Sequence, residues 1–408
     1  MTLNFSPLRR VMAAVLAVAA LAVAALGSGL RAADTPGVTK ALTAIQAVSR
    51  EGAGNDAAAA AWKTLTTSGI GALVPTLTAF DTASPTAANW LRSAIDAITE
   101  VEAKAGRKLP ADALLAFIQD VKRNPAARRI AFELLTGQDK PAAEALLPGM
   151  LNDPSLELRR DAIAAEIAKL KLPANAAASA AGYEKLFVVA RDKDQVEELA
   201  ELIGKTGKKP DLTRHFGYIT EWNVVGPFDS TDRTGFSKPY APEAGVDLAA
   251  KYDGKGGPVT WKPSQSSDVY GNIDLNKDLG KTMDAASYAH AVIVTEKETP
   301  ADIRLASKNA IQVFLNGSKI YEKDEYHHGK RHDQHVAKVT LKPGKNEILV
   351  KVCQNNQTDS WAQEWDFALR VCDFTGAALP IKQQLTRNGV TETIVPGIIK
   401  PAPKKEDK

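Results

Sequence analysis

The chain reads as an α + β multidomain protein, an all-α helical-repeat domain followed by an antiparallel β-sandwich of jelly-roll type. Three observations predict this. Residues 34–210 hold seven aromatic residues and are rich in Ala and Leu, whereas 211–380 hold seventeen of the chain's 25 and are rich in Val, Ile, Tyr and Trp. The first composition favours helix and the second strand. Apolar segments broken by Asp/Asn-Pro turns recur every 31–37 residues in the first half, marked by Arg92, Arg129 and Arg160. Short apolar runs separated by turn signals, without intervening helices, fill the second half.

The 408 residues are 44% hydrophobic, enough for two or three domains with ordinary cores. The net charge of +3 resides in residues 1–33, which carry three Arg and no acid. Residues 34–210 balance at 22 bases and 22 acids, and 211–380 stand at 20 and 23. Neither domain has the cationic surplus that phosphate backbones require, which argues against nucleic acid as a partner.

From the N-terminus, Arg9 and Arg10 precede an apolar run from Val11 to Leu26 and a small-residue exit through Gly27, Ser28 and Ala33. This is the pattern of a secretory signal peptide over 1–33, with the cut taken at Ala33. A retained anchor is the alternative, since about 20 apolar residues span a bilayer. The expectation is an exported protein, periplasmic or extracellular, with no membrane association once the signal is removed.

Residues 34–210 follow as paired helices. "LVP" at 73–75 opens one and "LLP" at 146–148 another; Asn124-Pro125 and Asp153-Pro154 mark turns, because Pro ends one helix or sets the first turn of the next. The unit "LLPGMLNDPSLELRRDAIAAEI" at 146–167 resembles HEAT repeats, and the resemblance extends over about 38–207. It implies a stacked helical array that serves as a scaffold for protein contacts. Arg92, Arg129 and Arg160 are read as serving the turns, bonding helix-end carbonyls or the turn Asp. The turn-rich "GKTGKKP" at 204–210 is taken as the domain boundary.

In 211–380, strands are expected at 216–225, 287–295, 301–306, 310–315, 318–322, 335–341, 346–353 and 364–372, with a short one near Val259–Trp261. Asn316-Gly317 is a strong hairpin signal, and "KPGK" at 342–345 a second tight turn. The words "WNVVGPFD" at 222–229, "IQVFLNGSKIYE" at 311–322, "VTLKPGKNEILVKV" at 339–352 and "WDFALRVCDFTG" at 365–376 resemble the galactose-binding-like jelly roll, including sugar-binding modules fused to glycosidases, over about 215–378. That resemblance implies a carbohydrate or cell-surface glycan as ligand, although the family also holds purely architectural modules. Residues 381–408, ending in a Pro/Lys-rich stretch, are expected to be a disordered tail.

Candidate chemistry concentrates in two loops. The segment 354–365 joins two strands and mixes amides, acids and two Trp. Trp361, Gln354, Asn355 and Glu364 are its candidate ligand-binding residues, since sugar sites set aromatic faces against C–H surfaces and polar groups against hydroxyls. Trp361 is read either as a loop anchor or as a binding platform; Trp222, Trp261 and Trp365 are read as packing residues. The segment 324–335 adds Arg331 and Asp333, with His327, His328 and His332 as weak metal candidates. It lies between two strands with uneven spacing, so no metal or other cofactor is expected. Cys353 and Cys372 are read as two buried free thiols, with a disulfide as the alternative.

No nucleophile elbow, P-loop, G-x-G-x-x-G or haem motif occurs. No catalytic residue is assigned and no enzymatic activity is expected. The expected function is carbohydrate recognition by the sandwich and protein contact by the array. The alternatives are a structural scaffold without a sugar ligand, or an accessory module of an extracellular hydrolase system.

Overall fold

A computed structural model describes residues 36–396 apart from 388, so the expected signal peptide lies outside the described residues. The fold is helical in its N-terminal part and an antiparallel β-sandwich in its C-terminal part, as the composition shift predicts. The chain divides into two compact units, up to Glu166 and from Ile167. The division falls not in the 204–210 turn but within a helix, so residues 167–210 belong to the sandwich unit.

In the first unit, α1 (Pro36–Gln46), α2 (Asn55–Thr67), α3 (Leu73–Ala79), α4 (Pro85–Lys104), α5 (Ala111–Gln119), α6 (Pro125–Gln138) and α7 (Lys140–Glu144) precede α8 (Leu156–Leu170), which runs across the division. Pro85 and Pro125 open α4 and α6, and Ser84 and Asn124 cap them by accepting from Ala87 N and Ala126 N. Their apolar stripes meet in one core that includes Ile45, Leu65, Leu77, Leu91, Ile118 and Ile130.

Successive turns are bonded to one another. Asp81 accepts from Asn124 N at 2.7 Å and from Arg123 Nη1 at 2.9 Å, while Asn124 Nδ2 donates to Phe80 O. The next link is Arg128, fully buried, whose guanidinium donates to Ile118 O and forks onto both Asp153 oxygens at 2.7 Å. Arg159 donates to Asp153 O and Asn152 O. Arg128, one residue before the expected Arg129, and Arg159 thus serve these turns. Arg92 and Arg129 instead join Asp96, Glu133 and Asp161 in a surface ladder.

The second unit continues with α9 (Ala176–Val189), α10 (Lys193–Gly204) and α11 (Leu212–Phe216). These helices are tied to the strands that follow. His215 Nε2 lies 3.0 Å from Ala190 O, its ring packs 4.5 Å from Phe187, and Tyr270 donates to Glu197.

The larger sheet runs β14-β13-β6-β11-β8-β9, built from β6 (Ala285–Thr295), β8 (Ala310–Leu315), β9 (Ser318–Lys323), β11 (Gly344–Gln354), β13 (Lys382–Arg387) and β14 (Val390–Ile394). β1 (Glu221–Asp229) shares the free edge of β6 with β13 and carries β4 (Lys262–Gln265) outside it. The smaller sheet runs β10-β7-β12-β5, from β5 (Ile273–Asp274), β7 (Thr299–Ala306), β10 (His335–Leu341) and β12 (Asp366–Cys372). Between the sheets lies an apolar core holding Trp222, Ile303, Val350, Trp365, Phe367 and Leu369. Trp222 and Trp365 are thus packing residues, as expected.

Residues 230–261, with the hairpin β2 (Lys251–Gly254)–β3 (Gly257–Thr260), cover the outer face of the larger sheet over Phe228, Tyr288 and Leu349. Buried Lys351 pins this cover, donating to Phe236 O, Lys238 O and Glu243 at 2.7–3.1 Å. Trp261 packs within this cover. The expected disordered tail is corrected in part: 382–394 form a hairpin on β6, with Ile381, Gln383 and Leu385 buried. Cys353 and Cys372 are free, buried and on the outer faces of different sheets, with the core between them. Among the described residues no helix is long and apolar enough to cross a membrane.

Candidate functional site

One end of the sandwich gathers the loops after β1, before β6, between β7 and β8, between β9 and β10, and between β11 and β12. Register sets this, since Asp229 faces Ala285, Gln354 faces Ala285, and Ala306 faces Ala368. Among the described residues, apart from the Asn316 hairpin, the sandwich residues other than Gly with positive φ are Asp232, Arg233, Asp284, His327 and Asp333, all in these loops. Backbone held in this sparsely populated region persists where surrounding contacts over-determine it, often at functional sites.

The 354–365 loop stands on a buried amide frame. Gln354 is fully buried; it donates to Ala362 O and Glu364 O and accepts from Asn309 Nδ2 and Asn355 N. Asn355, also buried, has its Oδ1 2.6 Å from His327 Nε2. Gln354 and Asn355 therefore hold the loop's shape instead of facing a ligand. Above them Trp361, on a single helical turn at Ser360–Ala362, is 58% exposed, its ring edge-on to His327 at 5.5 Å. Glu364 is half exposed and bonded to Lys308.

Asp333 does a different job. On the outer face of the smaller sheet the strand pairing sets Arg304 directly against Arg370, a repulsive cross-strand pair. Asp333 drops between them, accepting from Arg370 Nε at 2.6 Å and Arg304 Nη1 at 2.9 Å. Burial opposes its ionisation, but these two guanidinium groups bring its pKa down to about 2. Asp333 is thus a clamp for two arginines, and its carboxylate is already committed.

The three candidate imidazoles turn to different partners. His327 faces Asn355 and Trp361; His328 lies against Gln334 and His335; His332 Nδ1 meets the Tyr218 hydroxyl at 2.8 Å. Among the described residues no group of three His, Cys, Asp or Glu is arranged to hold a metal. Burial is the main cause that takes the His332 pKa down to about 4, so the ring is neutral near pH 7.

Arg331 lines a cavity of about 300 Å³ on the smaller sheet, together with residues that local sequence did not single out: Lys193, Tyr218, Tyr270, Asn272 and Lys330. Lys330 binds Asn272 and Asp366, and Lys193 stands 4.6 Å over the Tyr270 ring. Tyr218 arrives there because Gly217, at φ 75°, turns the chain out of α11 onto the edge of β12, where a Cβ would sit 2.8 Å from Val371 O. These positions are scattered over more than a hundred residues, so no spacing rule could have joined them.

Comparison with protein-family models finds no match, and comparison with curated proteins finds none. Among solved structures, the chain is similar to a beta-glucosidase from Kluyveromyces marxianus at 13% identity and TM-score 0.23, covering 37% of this chain. The chain spans only 16% of that glucosidase's length. A family 35 carbohydrate binding module from an environmental isolate matches at 17% identity and TM-score 0.17, covering 24% of this chain and 75% of that one. The PA14 domain of the MpAFP antifreeze protein matches at 13% identity and TM-score 0.18, covering 44% and 68%.

Proposed function

We propose that the chain is an exported, non-enzymatic recognition protein whose sandwich binds carbohydrate at its loop end and whose HEAT-like array contacts protein. One observation carries the carbohydrate reading: an exposed Trp361 ring beside His327, which is bonded to the buried Gln354–Asn355 amide frame. A rigid aromatic face presented to solvent costs little ordering entropy on binding and suits the C–H face of a sugar. The non-enzymatic reading is supported by the state of the nearby carboxylates. Asp333, Glu364 and Asp366 are each engaged by a cation, Arg304 and Arg370, Lys308, and Lys330 respectively.

The test uses the full chain recovered from outside the cytoplasm, with its N-terminus sequenced and its binding read on a glycan array. A start near Asp34, with a bound glycan whose signal falls at least about tenfold on Trp361→Ala, is expected. Recovery with residues 1–26 still attached would overturn cleavage. Silence across diverse glycans would overturn sugar recognition and favour the architectural reading.

A further inference from the structure

The outer face of the smaller sheet is crowded by Arg304 and Arg370 until the strands reach the cross-strand pair Ala306 and Ala368. Two methyl groups where neighbours carry guanidinium groups leave a depression, and this is the floor of the 300 Å³ cavity. That volume lies at the low end of small-molecule sites, about 300–1,000 Å³, and suits one ring rather than an oligomer. Its lining does not include Trp361.

The polar groups around the floor are mixed in kind. Lys193, Lys330 and Arg331 only donate; the Asp268 carboxylate only accepts. An anion would meet the Asp268 charge, and an apolar ligand would desolvate two ammonium groups without return. Hydroxyl groups, which donate and accept at once, can satisfy both kinds.

Tyr218 supplies a directed acceptor. His332 Nε2 makes no hydrogen bond, but it lies 3.5 Å from the Asp333 carboxylate, itself fixed by two arginines, and that negative charge favours the imidazole proton on Nε2. Nδ1 is then free to accept the Tyr218 O–H at 2.8 Å. With its proton committed to His332, the phenol oxygen offers its lone pairs to a donor in the cavity, and the chain of dipoles strengthens that acceptor.

We infer that this cavity is a second binding site, apart from Trp361, for a single pyranose-sized polyhydroxyl ring, with Tyr218 as its ligand-facing acceptor and His332 and Asp333 as positioning residues. The inference rests on the carbohydrate reading above and names where one ring would sit.

Calorimetry with the full chain and the methyl glycosides of glucose, galactose, mannose and xylose tests it. At least one glycoside binds, and Tyr218→Phe, which removes only the hydroxyl, weakens it about tenfold. Ala306→Leu, which fills the floor, abolishes binding. His332→Leu matches the loss, while His332→Gln, whose amide can still accept the phenolic proton, restores affinity to within about twofold; a merely structural role would not separate these two. Binding that survives Tyr218→Phe and Ala306→Leu but is lost in Trp361→Ala would overturn the cavity while leaving sugar recognition standing. Failure of all four glycosides to bind would overturn the cavity too, and the glycan array would still decide recognition independently.

Discussion

His332 and His215 are largely covered imidazoles that the fold keeps neutral. Burial is the leading cause in both, with Arg191 adding repulsion at His215, and each pKa falls from 6.5 to about 4. At His332 the Asp333 carboxylate pulls the other way, while Arg370, Lys193 and Arg304 reinforce the drop. As pH falls below 6.5 the unfolded chain takes up these protons and the folded one does not. Stability is therefore full above about 6.5 and is lost progressively down to about 4, by on the order of 2–3 kcal/mol per histidine. Asp333, held near 2 against 3.8, adds a further loss below about 4. Thermal melts at pH 7 and pH 4.5 check this. The double variant His215→Gln, His332→Gln should show a clearly smaller drop between the two than the parent, and an equal drop would refute the assignment. The same burial that suppresses charge on His332 hid its role, because adjacent His and Asp in a polar loop read as solvated until Tyr218 and two arginines are placed around them.

Helix pairs in the first unit are joined through their turns, and the arginine that does the joining is decided by burial. Arg128 and Arg129 are sequence neighbours with the same chemistry, yet 100° of helical rotation separates a buried fork on Asp153 from a surface pair with Glu133. Alanine at 128 strands the Asp153 carboxylate inside the turn, at a cost of about 3–5 kcal/mol. Alanine at 129 breaks only a partly exposed ladder and costs about 1 kcal/mol or less. Urea denaturation of the two variants checks the assignment, and equal midpoints would contradict it. The spacing in the sequence pointed to Arg129; the phase of its helix, fixed by which face its apolar residues bury, put Arg128 at the turn instead.

The division between units shows how far composition can mislead about a boundary. Helices α9 and α10 are Ala- and Leu-rich like the first unit, yet His215, Tyr270 and Lys193 bind them to the sandwich unit. At the other end, the hairpin 382–394 precedes a Pro/Lys-rich terminus, and Asn388-Gly389 carries the turn signal used elsewhere in the chain. A fragment of 171–396 should thus melt cooperatively and well above one of 211–380, which lacks two helices and the strand that completes the edge of β6. Differential scanning calorimetry of both fragments checks this. If 211–380 melts as high as 171–396, the helices and the hairpin are not integral to the unit.

The sequence by itself determined the helical-then-sandwich order, the two core tryptophans, and the strands 310–315 and 335–341 to the residue. These follow from local periodicity, turn chemistry and composition, which neighbouring residues express directly. Only the tertiary structure decided that Gln354, Asn355 and Asp333 are supports, that the unit boundary falls at Glu166, and that Tyr218, Tyr270 and Lys193 share a cavity over two alanines. Those facts depend on contacts between residues far apart in sequence, and a contact made by strand register leaves no local signature.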